Sequence, residues 1–306
     1  MTDQAKGLLL TTLGVAFISP DSLFIRLIDA PPLTTTFWRA LPAGVMIFLF
    51  LTVTSRGNPL PAFRALGRPG IAYAVIFSFA SLLFVTAVSL TAVANAVFIL
   101  STAPVYAAVI SRIFLREPIR LRTVVTVVLC MVGVGIIVSG SVHSGVGNPL
   151  GDLCAVGTAL CLAIAFTIAR HARKTSMVPA VVLSYALTTL VLLPFARPAT
   201  LGPSDWIFIA ALGGVCVPIA TSLISTGPRY ITPAEVSTLL LLEAVLAPLL
   251  VWMFLGENPG PRALGGGALV LTVLLVANLL AIREARRRMV LDRTMPAPAP
   301  PPADGT

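Results

Sequence analysis

The sequence predicts an all-α integral membrane protein with ten transmembrane helices, on the basis of its composition, its apolar runs and its distribution of charge. Of the 306 residues, 57% are hydrophobic and only 11% are charged, and the mean hydropathy is +0.96. A soluble chain is about one-quarter charged and about half apolar, so a soluble globular enzyme is excluded. One helical span needs roughly 20 apolar residues, and the chain is long enough for ten such spans with short loops.

Ten apolar runs of suitable length follow one another along the chain. They are continuous rather than alternating in hydrophobicity, which excludes a transmembrane β-barrel. The predicted spans are Leu8–Leu27, Thr34–Val53, Gly70–Ser89, Ala92–Ile113, Thr123–Ser139, Leu153–Ala169, Val178–Ala196, Trp206–Thr226, Pro233–Leu255 and Leu264–Ile282.

The Lys and Arg residues test the number of spans, because the cytoplasmic loops of membrane proteins are enriched in them. With ten spans, 17 of the 21 basic residues fall on one side, in loops that alternate with loops almost free of them. An odd number of spans would destroy this alternation. We therefore predict a multi-pass protein of a bacterial inner membrane with both termini in the cytoplasm. The net charge of +9 orients the spans, and no nucleic-acid partner is expected.

The two halves of the chain carry traces of an internal repeat with a shift of 140 residues. FLREPIRLR (Phe114–Arg122) and FLGENPGPR (Phe254–Arg262) are identical at four of nine positions, and Ala87–Leu100 aligns in the same register with Gly227–Leu240. Ten spans divide into five and five, and an odd number of spans in each half makes the halves inverted in the membrane. The predicted architecture is therefore two inverted five-helix repeats.

Several motifs in these halves resemble those of a known group of membrane proteins. Trp38 and Arg39 open the second span, Pro104 lies in the fourth, and a Leu-x-Glu motif ends the fourth and ninth spans as Leu115–Glu117 and Leu255–Glu257. In these features the chain is similar to the drug/metabolite transporter superfamily, specifically to its EamA-type ten-span members. The resemblance implies export of amino acids, similar metabolites or drugs.

The resemblance also implies how the chain is divided. Residues 7–139 and 151–282 are predicted to be the two EamA-like repeats, and residues 283–306 a cytoplasmic tail that is first basic and then Pro-rich and disordered. The second half departs from the first at one central position, because Glu243 occupies the region where the first half has Ala103 and Pro104.

Ionisable residues inside a membrane are costly, which makes them candidates for function. Most acids of this chain lie in tails, in loops or at span ends. Glu235 lies within a span, but Thr232-Pro233-Ala234-Glu235 has the pattern of a capping box with Pro at the first helical position, and we interpret it as a cap rather than as a functional acid. Asp21 and Glu243 remain as candidates.

Asp21 is predicted to form a buried pair with Arg39. It follows Ser19 and Pro20, and Pro20 breaks or kinks the first span. Asp21 lies roughly 9 Å and Arg39 roughly 8 Å from the same membrane surface, at 1.5 Å per residue. Whether such a pair is a static brace or an outer gate is open, and the brace is favoured.

Glu243 lies about 13 Å into span nine, near the bilayer midplane, where transporters built from repeats bind substrate. Two interpretations are open: a substrate-binding or coupling residue, or a neutral carboxyl group that hydrogen-bonds to a neighbouring helix.

A third group of candidates comes from span four. Asn95, Thr102 and Tyr106 fall on one side of a continuous helix and form a polar stripe there. Such a stripe either lines a cavity or binds a neighbouring helix. No metal site, disulfide framework or cofactor motif is predicted, because the four cysteines lie inside spans without CxxC spacing and no Walker or H-E-x-x-H motif is present.

These observations predict a secondary transporter rather than an enzyme, with a small-molecule substrate, membrane lipid as its surroundings and no cofactor. Transport is expected to proceed by alternating access, and Glu243, if it titrates, is the point of proton coupling. The alternative from another class is a membrane-embedded enzyme that acts on a lipid-linked substrate, which would need clustered acids or histidines at the headgroup level. A channel would need a ring of like charges or a filter loop. The oligomeric state, a homodimer included, is left open.

Ten spans predict that reporter fusions placed after His143 and after Arg173 report opposite sides of the membrane. The reason is that one predicted span, Leu153–Ala169, separates the two positions. Paired phosphatase and fluorescent-protein fusions measure the side directly, and two fusions on the same side would contradict the ten-span topology.

Overall fold

The computed structural model describes residues 3–91, 93–116, 121–141 and 149–255, together with individual residues between 265 and 280. Every regular element in this part of the chain is helical. The α-helices are α1 (Asp3–Ile18), α2 (Asp21–Leu27), α3 (Pro32–Thr54), α4 (Leu60–Arg64), α5 (Gly67–Leu90), α6 (Val93–Leu100), α7 (Ala103–Phe114), α8 (Leu121–Ser141), α9 (Pro149–His171), α10 (Val178–Leu192), α11 (Pro203–Ala211), α12 (Val217–Thr226), α13 (Pro233–Leu240) and α14 (Glu243–Leu255).

Within the described residues, six helical segments are long and apolar enough to cross a membrane, which confirms an all-helical, multi-pass membrane protein. They correspond to predicted spans one, two, three, six, seven and eight. Predicted span five is represented by α8, whereas most of predicted span ten and the tail at 283–306 lie outside the described residues. The number of ten spans therefore stays a prediction.

The first span is broken where Pro20 predicts a break. The helix α1 ends at Ile18 and α2 begins at Asp21, because Pro20 has no backbone N–H with which to continue the ladder of hydrogen bonds. The Ser19 hydroxyl donates to the carbonyl oxygen of Val15 at 2.7 Å. Asp21 is thus placed in the first turn of a new helix, where the helix dipole favours an acid.

Spans four and nine are also broken, a feature that the predicted spans Ala92–Ile113 and Pro233–Leu255 did not include. The break in span four lies at Ser101 and Thr102, between α6 and α7, just before Pro104. The break in span nine lies at Leu241 and Leu242, between α13 and α14. In both breaks the backbone changes to tighter bonds between residues three apart, such as Thr102 N–H to Ile99 at 3.0 Å and Leu242 N–H to Leu239 at 3.0 Å.

These two breaks are equivalent under the 140-residue shift of the internal repeat. The helix pair α6 and α7 starts at Val93 and resumes at Ala103, while α13 and α14 start at Pro233 and resume at Glu243. Val93 and Pro233 are thus 140 residues apart, and so are Ala103 and Glu243. The weak sequence repeat therefore has a matching structural feature in each half.

The contacts between the halves are also related by the repeat, because exchanging the two halves converts one contact into another. The contact of α5 with α9 is the most extensive, and its counterpart, α1 with α12, is also large. The helix α3 packs on α10, and this pair exchanges with itself when the halves are exchanged. The helix α7 packs on α13, and the counterpart of this contact is the smaller one of α14 with α6. Among the described helices, the core is therefore formed mainly between the two halves rather than within each of them.

Another contact between the halves, made by α3, requires a glycine in its partner segment. A π-helical segment, Leu212–Cys216, joins α11 to α12 and contacts α3. A Cβ atom at Gly213 would lie 2.6 Å from Cγ of Pro42 and 2.9 Å from the backbone oxygen of Arg39, whereas one at Gly214 would have nothing within 4 Å. Gly213 thus allows this segment to approach the backbone next to Arg39.

Replacing Gly213 by Ala is expected to destabilise the protein by about 1–3 kcal/mol, because the added methyl group overlaps backbone that cannot rotate away. Gly214→Ala is the matched control and should be neutral or slightly stabilising, since alanine favours a helix more than glycine does. Thermal unfolding of the purified variants in detergent measures the difference. Equal unfolding temperatures for the two variants would contradict the close approach.

Candidate functional site

A cavity of about 110 Å³ lies in the centre of the helical bundle, and both halves of the chain line it. We call it the central cavity. Aromatic and aliphatic side chains, including Phe77, Phe84 and Phe166, form most of its wall. Its polar lining residues are Asp21, Arg39, Ser81, Ser101, Thr158, Tyr185, Thr221 and Glu243.

The predicted pair of Asp21 and Arg39 is present on the wall of this cavity. The Nε of Arg39 donates to Oδ1 of Asp21 at 2.9 Å, and one terminal guanidinium nitrogen donates to Oδ2. The two residues are buried, with exposed fractions of 0% for Asp21 and 5% for Arg39. Two parallel hydrogen bonds of this kind are the strongest arrangement that Arg and a carboxylate form.

A third helix contributes to the same group. The other terminal nitrogen of Arg39, Nη1, donates to the hydroxyl oxygen of Ser81 on α5 at 3.0 Å, and the ring of Phe84 lies with its centroid 6.0 Å from the guanidinium carbon. The guanidinium therefore joins α2, α3 and α5. Because its donors are directed to Asp21 and Ser81, its charge is compensated inside the bundle.

Glu243 is the first residue of α14, directly after the break in span nine. It lines the central cavity and is only partly buried. Within the described part of the chain, its carboxyl group takes part in no hydrogen bond or ion pair, so the bond to a neighbouring helix that one interpretation requires is not formed there. The break thus places an acid at the cavity wall with its oxygens available.

Tyr185 is a cavity residue that the sequence analysis did not select. Its side chain is almost completely buried, its hydroxyl lies near Arg39 and Thr221, and it makes no hydrogen bond of ordinary geometry within the described residues. Such orphaned buried hydroxyls are uncommon in proteins. The available signal was a single tyrosine in the apolar run of span seven, which is too weak to separate this residue from ordinary core packing.

The polar stripe predicted on span four lies across the break in that span. The break at Ser101 and Thr102 interrupts the helix on which the stripe depends, and the hydroxyl of Thr102 donates to the Ile99 carbonyl at 2.6 Å. Neither Thr102 nor Tyr106 is among the residues that line the central cavity. The side chain of Asn95 lies outside the described residues. Ser101, one position before the predicted Thr102, is the cavity residue of this segment.

Glu235 forms the capping box that the sequence indicates. The backbone N–H of Glu235 is bonded to the hydroxyl oxygen of Thr232 at 3.2 Å, and the backbone N–H of Thr232 is bonded to Oε2 of Glu235 at 2.9 Å. These reciprocal bonds satisfy the first turn of α13. Glu235 and Glu243 lie in the same span, but only Glu243 lines the central cavity.

Comparison with known proteins identifies the family. The model of the EamA-like transporter family matches residues 5–139 and again residues 149–279. The chain belongs to the EamA-like transporter family. This EamA-like protein is 28% identical over 274 residues to an uncharacterized transporter of Archaeoglobus fulgidus, covering 87% of the chain and 93% of that relative. It is also 24% identical over 174 residues to the uncharacterized transporter YxxF of Bacillus subtilis, covering 55% of the chain and 56% of that relative.

The fold of this EamA-like protein is also found in a solved structure. A crystal structure with 19% sequence identity matches with a TM-score of 0.76 and covers 91% of the chain and 99% of that protein. At this identity the match describes the fold alone. The two family matches agree with the two-repeat architecture that the sequence analysis predicts.

Breaking the ion pair is expected to destabilise this EamA-like protein strongly. Asp21→Asn and Arg39→Gln should each cost about 3–5 kcal/mol, because each leaves the other charge buried without its partner. The double variant should lose clearly less than the sum of the two losses, since it leaves no stranded charge. Thermal unfolding in detergent measures all three, with Asp152→Asn, a partly buried acid at the start of α9, as a control that should change little. Additive losses would contradict the coupling.

Proposed function

We propose that this membrane transporter is a secondary exporter that moves a small metabolite, such as an amino acid or a drug-like compound, by alternating access. One observation carries the proposal: the breaks of spans four and nine both reach the central cavity, where a carboxyl group is available. Ser101, Leu241 and Glu243, at or next to these breaks, line the cavity together. In transporters built from repeats, substrate sites form where helices are discontinuous near the midplane.

The size of the cavity supports a small substrate. Pockets that enclose drug-sized ligands measure roughly 300–1,000 Å³, and the central cavity measures about 110 Å³. Its mainly apolar wall, with a few polar groups between aromatic rings, is typical of a site that holds an apolar body and orients one or two polar groups. A small metabolite fits this description better than a drug-like compound does.

Alternating access is supported by the relation between the two halves. We propose that residues 7–139 and 151–282 form inverted five-helix repeats that rock against each other about the central cavity. The breaks at equivalent positions and the contacts that exchange with the halves support this mechanism. Interfaces between the halves, rather than loops, would then carry the movement.

Glu243 is the proposed point of proton coupling. Asp21 and Arg39 compensate each other, so an ionised Glu243 would be the net charge of the cavity. A single carboxylate in an apolar cavity binds either a proton or a positively charged group of the substrate, and this competition links the movement of one to the movement of the other. The Asp21 and Arg39 pair acts as a brace in this proposal, because its bond to Ser81 ties three helices at once.

The proposed location is a bacterial inner membrane, with both termini in the cytoplasm and no cofactor or catalytic group. The distribution of 17 of the 21 basic residues on one predicted side supports this orientation. The substrate itself is found by overexpressing the protein in a sensitive strain and screening amino acids, their analogues and toxic metabolites for altered tolerance and efflux.

Glu243→Gln is expected to abolish transport of the substrate so identified, while the protein still inserts and unfolds normally. The substitution keeps the size of the side chain but removes the group that exchanges a proton. The measurement is flux into proteoliposomes at several values of pH and with an imposed proton gradient.

Glu235→Gln is the matched control for this experiment. It makes the same substitution eight positions earlier in the same span, and Gln at this position of a capping box still accepts the bond, so transport should persist. Full transport by the Glu243→Gln variant with an unchanged pH dependence would remove Glu243 from the coupling mechanism.

A further inference from the structure

A second cavity lies between α3 and α10, on the outer surface of the bundle, and measures about 550 Å³. We call it the lateral groove. Its wall is almost entirely apolar, and several of its residues face outward: the exposed fraction is 48% for Val45, 42% for Phe48 and 69% for Leu190. In a membrane-spanning bundle these surfaces meet lipid, so the groove opens to the hydrocarbon of the bilayer.

Two contacts define the direction of the groove. The hydroxyl of Thr34 donates to the carbonyl oxygen of Phe195 at 2.9 Å, and a Cβ atom at Gly44 would lie 3.1 Å from Cβ of Tyr185. From the first contact to the second, α3 advances by ten residues while the chain of α10 goes back by ten residues, so the two helices are antiparallel. The end of α3 therefore lies beside the start of α10, and the segments 55–70 and 170–177 share one end of the groove.

This end of the groove is strongly positive. Segment 55–70 contains Arg56, Arg64 and Arg68, and segment 170–177 contains two further arginines and a lysine; neither contains an acid. Arg56, Arg64 and Arg68 are exposed and form no ion pair with a described residue. Arg64 directly follows Phe63, whose ring lines the groove and lies 6.3 Å from the ring of Phe48.

We propose that the lateral groove binds one anionic glycerophospholipid of the surrounding membrane, with an acyl chain along the groove and the phosphate beside Arg56 and Arg64. The charges support this occupant, because an elongated apolar groove that ends in unpaired cations matches a molecule with an apolar chain and an anionic head. A second copy of the chain is a poorer match. In a two-fold dimer in the membrane, the same positive segments of both copies would meet at one end and repel each other.

Bound lipid would also contact a residue of the central cavity wall. Tyr185 lines the lateral groove on one side and the central cavity on the other. An acyl chain in the groove therefore packs against the side chain that separates the two spaces. Binding at the groove is a property separate from transport, and its test does not depend on a known substrate.

The test uses native mass spectrometry of the purified full-length protein, mixed with phosphatidylglycerol and phosphatidylcholine that carry identical acyl chains. The wild-type protein is expected to retain one phosphatidylglycerol in preference to phosphatidylcholine. Arg56→Gln and Arg64→Gln should each reduce this preference about fivefold, the contribution of one surface arginine near an anionic lipid. Arg112→Gln, at an exposed arginine at the end of α7, is the control and should leave the preference unchanged.

A second variant tests the groove itself. Ala186 is an exposed residue that lines the groove, and Ala186→Phe should fill it and displace the bound lipid. Ala72→Phe makes the same change at an exposed alanine of α5 outside the groove and should retain the lipid. Equal retention of the two lipids by the wild type would overturn the proposal, as would normal lipid binding by the Ala186→Phe variant. A dimer that the Ala186→Phe variant dissociates would assign the groove to a second copy instead.

Discussion

The ion pair between Asp21 and Arg39 is the interaction on which the centre of this protein depends. A charge in the apolar interior is tolerated only when its partners are in place, so the positions of α2, α3 and α5 are linked through one guanidinium group. The break in the first span places Asp21 at the start of α2. Gly213 allows a π-helical segment to pack closely on the backbone of Arg39. The bonds that satisfy this single buried cation therefore link three helices that line the central cavity.

Discontinuous helices are the second constraint, and they determine where polar backbone reaches the cavity. Backbone groups in a membrane must be satisfied internally unless they line a cavity. The breaks at Ser101 and at Leu241 meet this condition, because both residues line the central cavity. Since the two breaks are 140 residues apart, the repeat supplies one break from each half to a shared site. A duplicated element of this kind forms a central site without any additional loop.

Much of this site was predictable from local sequence. Pro20 marks the break of the first span, depth along two spans pairs Asp21 with Arg39, and the capping pattern assigns Glu235 to a helix end. The break of span nine was not predictable, because a few backbone bonds between residues three apart leave no mark in a continuous apolar run. The break of span four had a signal in Pro104, which the predicted polar stripe left out of account. Tyr185 and Ser81 were missed for a different reason: their part in the site arises from packing between helices that are distant in sequence.

The two halves contribute different charged groups to the central cavity, so the internal repeat does not extend to these residues. In the 140-residue register, Glu243 corresponds to Ala103. The parts of the second half that correspond to Asp21 and Arg39, within 159–169 and 177–187, contain no charged residue. A symmetric site would contain two ion pairs and two further carboxyl groups in about 110 Å³, and like charges at such distances oppose each other's ionisation. Divergence of the halves leaves one compensated pair from the first half and one available acid from the second.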